Sequence, residues 1–302
     1  MTSITDRIER CIGRACGRVL PRNAIQILAR TFSVRRKKLI KATIRYYENV
    51  GADDEIKAIL SYLSRTVILQ YPYAWTENVR DHDVKKEYLP YALLYGKKCY
   101  YPKNMKKWEV VKNVTFVNDV EQHEMSPHLY LTEGFDVGND DIVVDCGAAD
   151  GNFGLSIVDR VKKLYIFEPE EQWQEPLRRT FGPWSDKVEI IQKYVSDVET
   201  NDTVTIDSFF AGKEGPTFLK LDVEGYERNV LSGAAGVLHS SVKKAIVCTY
   251  HLVDDHKVLS DVMLSNGFSV NTSKGYMLTD FDGKEPYLRR VLIRCTKITQ
   301  DV

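Results

Sequence analysis

The sequence predicts an α/β protein with a Rossmann-like, seven-stranded, mostly parallel sheet, an antiparallel last strand and an added N-terminal helical segment. After Asp141, short apolar runs alternate with helical stretches, the pattern of parallel strands joined by crossover helices. A glycine-rich turn follows the first of these runs. No helical stretch separates the last two runs, which predicts an antiparallel pair at one side of the sheet.

The seven predicted strands and their helices occupy the second half of the chain. The strands are 142–146, 163–167, 188–191, 217–221, 245–248, 268–270 and 291–295. The helices are 152–160, 171–181, 226–231 and 254–266. In open α/β sheets ligands bind outside the carboxyl ends of the strands, so functional residues are expected directly after each strand.

The 302 residues suffice for one large α/β domain and an accessory segment. We predict that residues 1–100 form the helical accessory segment and residues 101–302 the α/β domain. Apolar residues recur at helical spacing from Ile4 to about Leu63. Aromatic residues are dense between Tyr71 and Tyr101; they either line a sugar or aromatic-substrate pocket or, as we favour, pack against the α/β domain.

The charge and cysteine distributions exclude several functional classes. Lysine plus arginine (42) equals aspartate plus glutamate (42), so no nucleic-acid partner is expected. The first fifty residues are basic; their helices are either simply solvated, as we favour, or contact an anionic membrane surface. The six scattered cysteines suit free thiols in a reducing compartment, and no apolar stretch resembles a membrane span or signal peptide. We therefore expect a cytoplasmic location.

The turn between the first strand and its helix is the predicted ligand-binding turn. Glycines there allow backbone conformations closed to other residues and let a ligand approach the main chain. Glu168 ends the second strand, where a carboxylate can accept both hydroxyls of an adenosine ribose. The predicted cofactor contacts are Asp145, Gly147, Ala148, Ala149, Gly151, Asn152, Glu168 and Pro169.

The acidic residues of this turn favour S-adenosylmethionine over a nicotinamide dinucleotide. A pyrophosphate needs a G-x-G-x-x-G turn without nearby negative charge, and Asp145 and Asp150 would repel it. Asp145 could instead attract the cationic methionine end of S-adenosylmethionine. Asp150 has the alternative role of capping the following helix. A nicotinamide-dependent oxidoreductase and a non-catalytic scaffold that binds an adenosine cofactor remain the rival functions.

Acidic residues and a histidine follow the fourth and fifth strands. Asp222 and Glu224 alternate along an extended chain and would point the same way, whereas Glu227 would complement the dipole of the next helix. His251 is suited to removing a hydroxyl proton near neutral pH, or makes an ordinary polar contact at a strand end. We predict that Asp222, Glu224 and His251 are the catalytic residues.

These three side chains fit methyl transfer without a metal. Methyl transfer from a sulfonium is an in-line displacement, so the enzyme mainly aligns the acceptor oxygen and removes its proton. One base and one positioning group suffice for this task. The same three residues could instead bind a divalent cation such as magnesium, manganese or zinc, an alternative that we do not favour.

Several motifs occur in a fixed order along the chain. They are Val144-Asp145-Cys146-Gly147-Ala148 with Gly151 and Gly154, then Phe167-Glu168-Pro169, Thr205-Ile206-Asp207, Leu219-Lys220-Leu221-Asp222-Val223-Glu224-Gly225-Tyr226-Glu227, and Val230-Leu231-Ser232-Gly233-Ala234. This set resembles the FkbM-type S-adenosylmethionine-dependent methyltransferases, and the D-V-E-G-x-E element is its specific part. The similarity extends over about residues 126–295 and includes Ser126-Pro127-His128-Leu129-Tyr130-Leu131.

The resemblance implies a class I methyltransferase fold and O-methylation, often of sugar hydroxyls in bacterial glycans or of natural products. It implies a small-molecule or glycan acceptor without identifying it. By analogy Asp145, Gly147 and Glu168 bind the cofactor, Ser196 and Asp197 border its adenine, and residues 222–224 face the reacting centre.

Overall fold

The computed structural model describes residues 34–65, 70–73, 76 and 82–298. Its helices are α1 (Val34–Val50), α2 (Asp54–Arg65), α3 (Lys107–Val114), α4 (Asn152–Ile157), α5 (Glu171–Phe181), α6 (Ile206–Phe209), α7 (Glu227–Ser232), α8 (Ala235–Ser240) and α9 (Asp255–Ser265). A π-helix, Thr115–Glu121, continues α3. The helical start predicted for residues 4–33 lies outside the described residues.

The strands are numbered in chain order. They are β1 (Val84–Lys86), β2 (Pro90–Leu94), β3 (Lys97–Tyr100), β4 (Ile142–Cys146), β5 (Lys163–Phe167), β6 (Val188–Ile191), β7 (Tyr194–Val195), β8 (Thr203–Val204), β9 (Phe218–Leu221), β10 (Lys244–Cys248), β11 (Phe268–Thr272), β12 (Met277–Leu278), β13 (Leu288–Arg289) and β14 (Leu292–Lys297). All seven predicted strands of the main sheet are present, with ends shifted by up to two residues.

The main sheet has seven strands in the order β6-β5-β4-β9-β10-β14-β11. Neighbouring pairs from β6 to β10 are parallel, and β14 is antiparallel to both β10 and β11. The predicted antiparallel last strand is therefore confirmed. This strand order is that of the class I methyltransferase fold. It brings the carboxyl ends of β5, β4, β9 and β10 to one edge in that order.

Hydrophobic cores cover both faces of the sheet. Val143 and Phe218 belong to one core, whereas the next residues along the same strands, Val144 and Leu219, belong to the other. All four side chains are fully buried. Burial on both faces explains why these strands are apolar throughout rather than alternating. The strand ends that carry the candidate site are thus held by packing on both sides.

The predicted helical segment of residues 1–100 is only partly helical. β1, β2 and β3 form an antiparallel sheet, so the helical prediction is wrong for residues 84–100. The reason is the two-residue turn Tyr95-Gly96, where both residues have positive φ (53° and 75°), the geometry of a tight β-hairpin. Ala92 and Cys99 of this hairpin enter the same core as Val143. The domain boundary at residue 100 stays a prediction.

The dense aromatic residues before residue 101 include packing residues, as we favoured. Tyr71 and Tyr101 are fully buried, and each lies in a cluster with residues of the α/β part.

Cys99, Cys146, Cys248 and Cys295 are free and buried, which agrees with the expected free thiols; Cys11 and Cys16 lie outside the described residues. Among the helices that the structure describes, none is long and apolar enough to cross a bilayer.

Candidate active site

The turn after β4 has the left-handed backbone conformation that its glycines predict. Gly147, Ala149 and Gly151 have φ of 75°, 46° and 78°. A Cβ added to Gly147 would lie 2.0 Å from the backbone oxygen of Asp222, so no side chain fits there. A Cβ on Gly151 would lie 2.8 Å from a side-chain atom of Leu177. The predicted cofactor turn therefore touches the end of β9, where the predicted catalytic residues begin.

Glu168 lies against the same turn. Its Oε2 accepts a hydrogen bond from the backbone N–H of Ala149 at 2.8 Å, and its Oε1 accepts one from Glu170 at 2.9 Å. The side chain is buried, and this burial raises the pKa of Glu168 above its ordinary value despite both bonds. Pro169 carries the chain onward to α5. The structure brings Glu168 to the glycine turn, and its contact with a ribose stays a prediction.

Asp145 is paired with a buried lysine. Nζ of Lys220 lies 3.0 Å from Oδ1 of Asp145 and donates to the carbonyl oxygen of Gly147 at 2.8 Å. Burial raises the pKa of Asp145, and Lys220 opposes this shift. Burial alone would lower the pKa of Lys220, but Asp145 and Asp222 raise it well above its usual range. Asp145 therefore faces an internal cation, and its attraction of a ligand cation, directly or through water, stays a prediction.

Asp150 is not the N-cap of α4, which is Gly151, but its side chain bonds to the first residue of this helix. Its Oδ1 accepts a hydrogen bond from the backbone N–H of Asn152, the first residue of α4, at 3.0 Å. Burial raises the pKa of Asp150 to about 6. The hydroxyl of Tyr95 donates to Oδ1 of Asn152 at 2.9 Å, so the N-terminal hairpin also reaches this turn.

Asp222 is the centre of a polar cluster drawn from separate segments. The Tyr130 hydroxyl donates to its Oδ2 at 2.7 Å, and the Tyr250 hydroxyl donates to its Oδ1 at 3.0 Å. Nε2 of His128 lies 3.7 Å from Oδ2, and Nε2 of His251 lies 3.7 Å from Oδ1. The Asp222 side chain is 17% exposed, whereas both histidines are almost completely buried. Asp222 is therefore more exposed than either histidine.

The charges around Asp222 make it a hydrogen-bond acceptor rather than a proton acceptor. Burial alone would raise the pKa of Asp222, but Lys220, His128 and His251 lower it well below its usual range. Burial lowers the pKa of His128 to about 4, which leaves this imidazole neutral near pH 7. Because a carboxylate of such low pKa is a weak base, Asp222 is suited to orienting a hydroxyl rather than deprotonating it.

His251 lies next to a buried carboxylate. Its Nδ1 is 2.9 Å from Oε1 of Glu227, within ion-pair distance although the alignment is not that of an ideal hydrogen bond. Burial alone would lower the pKa of His251, but Glu227 and Asp222 together raise it above its ordinary value. When the imidazole is neutral, a proton on Nδ1 facing Glu227 leaves the Nε2 lone pair toward Asp222. This is the geometry of a general base with an orienting acid.

Backbone contacts fix the position of His251. The buried Arg289 donates to the carbonyl oxygens of Tyr250 at 3.1 Å and of His251 at 2.6 Å. Arg289 also pairs with Asp282 in the loop between β12 and β13. The ring of Phe281, half exposed in this loop, packs edge-on against the imidazole with 4.9 Å between centroids. Phe281 therefore lies at the open side of the site.

The predicted orientation of Glu224 is wrong. Glu224 has φ of 53° and Gly225 has φ of 96°, so the chain turns instead of continuing as a strand, and the Glu224 side chain is exposed. Glu227 is fully buried and accepts hydrogen bonds from the backbone N–H groups of Val223 (2.9 Å) and Gly225 (3.1 Å). Glu227 thus closes the turn and takes the place beside His251. The catalytic role of Glu224 stays a prediction.

Sequence reasoning missed four residues of the cluster. Tyr130 and His128 belong to a motif that carries only the family resemblance, and Tyr250 has no predicted role. Lys220 carried a signal of its own, because a lysine inside an apolar strand is seldom buried unless it is paired. The tyrosines carried none, since 92 residues separate Tyr130 from Asp222.

Ser196 and Asp197 lie against α7. Oδ1 of Asp197 accepts hydrogen bonds from the Ser196 hydroxyl at 3.0 Å and from the Asn229 amide at 3.1 Å. A Cβ on Gly233 would lie 2.1 Å from the backbone oxygen of Ser196, so this glycine allows the close approach. The contact of Ser196 and Asp197 with an adenine stays a prediction.

Two groups of described residues could offer ligand atoms to a metal. They are His128, Asp222 and Cys248, and Asp222, Glu227 and His251; within each group the ligand atoms lie within 4.8 Å of one another. The second group resembles the metal alternative considered above, with Glu227 in place of Glu224. Both oxygens of Asp222 already accept hydrogen bonds from tyrosine hydroxyl groups, and these bonds suffice to hold the Asp222 side chain in place. Metal independence stays a prediction.

Comparison with known families supports the resemblance to FkbM-type proteins. Residues 194–270 match the methyltransferase FkbM domain. This segment contains the D-V-E-G-x-E element, whereas the glycine turn and Glu168 lie before it. The resemblance inferred from the motifs is confirmed. No curated protein matches the chain by sequence.

Solved structures similar to this chain include several methyltransferases. A methyltransferase FkbM from Methylobacillus flagellatus KT has 18% identity and a TM-score of 0.44 over 56% of this chain and 50% of that one. A precorrin-6y C5,15-methyltransferase from Geobacter metallireducens GS-15 has 11% identity and a TM-score of 0.38, over 54% and 82%. A magnesium protoporphyrin IX methyltransferase from Synechocystis PCC 6803 has 13% identity and a TM-score of 0.35, over 53% and 71%. The similarity to the Methylobacillus flagellatus structure thus spans half of the length of that chain.

Proposed function

We propose that this protein is an S-adenosylmethionine-dependent O-methyltransferase whose acceptor is a hydroxyl of a sugar, a glycan or a similar small molecule. The observation that carries the proposal is the junction of two sites at one sheet edge. The glycine turn touches the backbone of Asp222, and Asp222 lies beside His251 and Glu227. A cofactor turn is thereby joined directly to an acid and a base.

The residues around the turn fit the proposed cofactor. Gly147 lets the turn pack directly against the backbone of Asp222, and Gly151 lets it pack against Leu177. Glu168 directly follows the neighbouring strand, where a ribose would be held. The turn also has buried acids at Asp145 and Asp150, which disfavour the pyrophosphate of a nicotinamide dinucleotide. When bound, S-adenosylmethionine supplies an electrophilic methyl group on a sulfonium.

The chain's own residues perform the acid-base part of the reaction. Asp222, held ionised by its neighbours, accepts a hydrogen bond and orients the acceptor hydroxyl. His251 takes the hydroxyl proton on Nε2, and the carboxylate of Glu227 stabilises the imidazolium that forms. The O–H bond breaks as the acceptor oxygen takes the methyl group, whose former bonding electrons would stay on the cofactor's sulfur, and the proton ends on His251. Phe281 covers one edge of the imidazole at the open side of the site.

Methyl-labelled S-adenosylmethionine tests the proposal. The protein is incubated with the labelled cofactor and with extracted glycans or sugar nucleotides, and the label is located by mass spectrometry. We expect a labelled methyl ether with the wild type. We expect its loss in Asp222→Asn and His251→Ala, while calorimetry shows that both variants still bind the cofactor. Binding of a dinucleotide without binding of S-adenosylmethionine would instead support an oxidoreductase, and unchanged transfer in both variants would contradict the assigned roles.

The cellular setting of this activity is part of the proposal. The balanced charge and the buried free thiols support a cytoplasmic enzyme that does not bind nucleic acid. In α1, Lys37, Lys38, Lys41 and Arg45 have exposed side chains, which leaves the membrane-surface alternative for the basic N-terminal helices as a prediction.

A further inference from the structure

Asn152 has a buried amide that is only half satisfied. Its Oδ1 accepts the hydroxyl of Tyr95 at 2.9 Å, whereas its Nδ2 is buried and has no hydrogen-bond partner. The residue as a whole is 4% exposed. A buried N–H group without an acceptor costs about 1–3 kcal/mol, so Nδ2 needs an acceptor that the described residues do not supply.

Tyr95 reaches Asn152 from a strained position. It occupies the first place of the two-residue hairpin turn with φ of 53°, where asparagine, aspartate or glycine is usual. The turn geometry alone gives no reason for a tyrosine, but the hydroxyl contact with Asn152 does. Because this hydroxyl donates to Oδ1, the amide is oriented with Nδ2 as its free donor.

The same N-terminal segment contacts the glycine turn at a second residue. Sγ of Cys99 lies 3.5 Å from the backbone oxygen of Asp150, and the hydroxyl of Tyr101 lies 3.4 Å from its Oδ2. Cys99 and Tyr101 are fully buried, so these contacts belong to the packed interior. The β2–β3 hairpin and the residue after it therefore contact both Asp150 and Asn152 from outside the seven-stranded sheet.

The strand order indicates which part of the cofactor lies near Asn152. Glu168 directly follows β5, Asp222 follows β9, and β4, which leads into the glycine turn and Asn152, lies between these two strands. A cofactor with its ribose at Glu168 and its reactive carbon toward Asp222 has one charged part left, the amino-acid end. The carboxylate of that end is the acceptor that an amide N–H₂ group suits best.

We infer that Tyr95 is a positioning residue of the cofactor site: its hydroxyl fixes the Asn152 amide so that Nδ2 donates to the carboxylate of the cofactor's amino-acid end. The inference rests on the proposed function. It gives the N-terminal hairpin a part in cofactor recognition, because this hairpin carries the residue that orients the amide.

Calorimetry with two ligands isolates this contact. S-adenosylhomocysteine carries the amino-acid end, whereas 5′-methylthioadenosine has the same nucleoside without it. We expect Tyr95→Phe to bind S-adenosylhomocysteine about fivefold more weakly and Asn152→Ala at least tenfold more weakly, the effects of losing a neutral and a charge-assisted hydrogen bond. Affinity for 5′-methylthioadenosine should be unchanged in both variants.

Tyr100→Phe is the matched control, because the Tyr100 hydroxyl belongs to the same hairpin but donates to the exposed Glu87 at 3.0 Å. This variant should bind both ligands like the wild type. In the wild type, the side-chain amide NMR signal of Asn152 should shift with S-adenosylhomocysteine and stay in place with 5′-methylthioadenosine.

The outcomes separate the inference from the proposed function. If the wild type binds S-adenosylhomocysteine and Tyr95→Phe binds it equally well, the inference alone is overturned. Equal weakening for both ligands in Tyr95→Phe also overturns it, since that result indicates a general structural effect. A wild type that binds neither ligand overturns the proposed function, and the inference with it.

Discussion

Nδ1 of His251 lies 2.9 Å from Oε1 of Glu227, and both side chains are almost completely buried. Glu227 belongs to the first turn of α7 and His251 follows β10, so two separate elements of the fold create the pair. The pair gives the imidazole a fixed orientation and a raised pKa, with Nε2 left toward Asp222. The proposed base is therefore prepared before any acceptor binds.

Replacing Glu227 by glutamine should lower the pKa of His251. Burial alone lowers this pKa, and the Glu227 carboxylate raises it. Removing the charge of Glu227 therefore lets burial lower the pKa of His251. NMR titration of the His251 imidazole measures the shift. Glu189→Gln, a change at an exposed residue of β6, should leave the titration unchanged. An equal pKa in the wild type and Glu227→Gln would show that the pair does not control the imidazole.

Gly147→Ala should unfold or rearrange the cofactor turn. The new Cβ would lie 2.0 Å from the backbone oxygen of Asp222, and φ of 75° is strained for alanine. Gly212→Ala is the control, since Gly212 has φ of 76° and no atom within 4 Å of the added Cβ. We expect Gly212→Ala to lose about 1 kcal/mol of unfolding free energy, the cost of the left-handed conformation alone. Urea denaturation should show a clearly larger loss for Gly147→Ala; equal losses would contradict the close approach.

Lys220→Met should destabilise the protein by about 3–5 kcal/mol, because it leaves the buried Asp145 carboxylate without its cation. The double variant Lys220→Met, Asp145→Leu removes both buried charges and should recover part of the loss. Unfolding free energies from urea denaturation measure both variants. A double variant no more stable than Lys220→Met would mean that the unpaired Asp145 carboxylate is not the cause of the lost unfolding free energy.

Asp150→Asn should stabilise the ligand-free protein at neutral and alkaline pH. Burial raises the folded-state pKa of Asp150 from 3.8 to about 6, so its favourable contribution is present below pH 3.8 and is lost as pH rises through 6. Asparagine keeps an oxygen for the N–H of Asn152 and has no charge to bury. The gain in unfolding free energy above pH 6 is at most about 3 kcal/mol. Asp202→Asn, at an exposed residue, should show no such pH-dependent gain.

The sheet could be predicted because its physical cause is local. Strands buried on both faces are continuous apolar runs, and the crossover helices between them have their own periodicity. The hairpin β2–β3 was missed for the opposite reason. Its lysines and tyrosines give no clear alternation, and its turn depends on a tyrosine with positive φ, which sequence patterns do not favour.

The candidate site could be predicted only where its residues follow strand ends. Asp222 and His251 were found in this way, because parallel strands bring their carboxyl ends to one edge. The orientation of Glu224 was predicted wrongly because a left-handed turn at this residue, which the sequence does not specify, directs the chain away from an extended course. Tyr130 was missed since its contact with Asp222 depends on tertiary packing alone.

We propose that His251, oriented by Glu227, accepts the proton of the acceptor hydroxyl. The most direct test is the pH dependence of methyl transfer to the extract fraction that takes up the label, in the wild type and in Glu227→Gln. We expect the rate to rise as His251 loses its proton, with a midpoint equal to its NMR pKa. Glu227→Gln should move this midpoint to lower pH by the same amount as it lowers the pKa of His251. A midpoint that stays in place while the pKa of His251 shifts would contradict the role of His251 as the base.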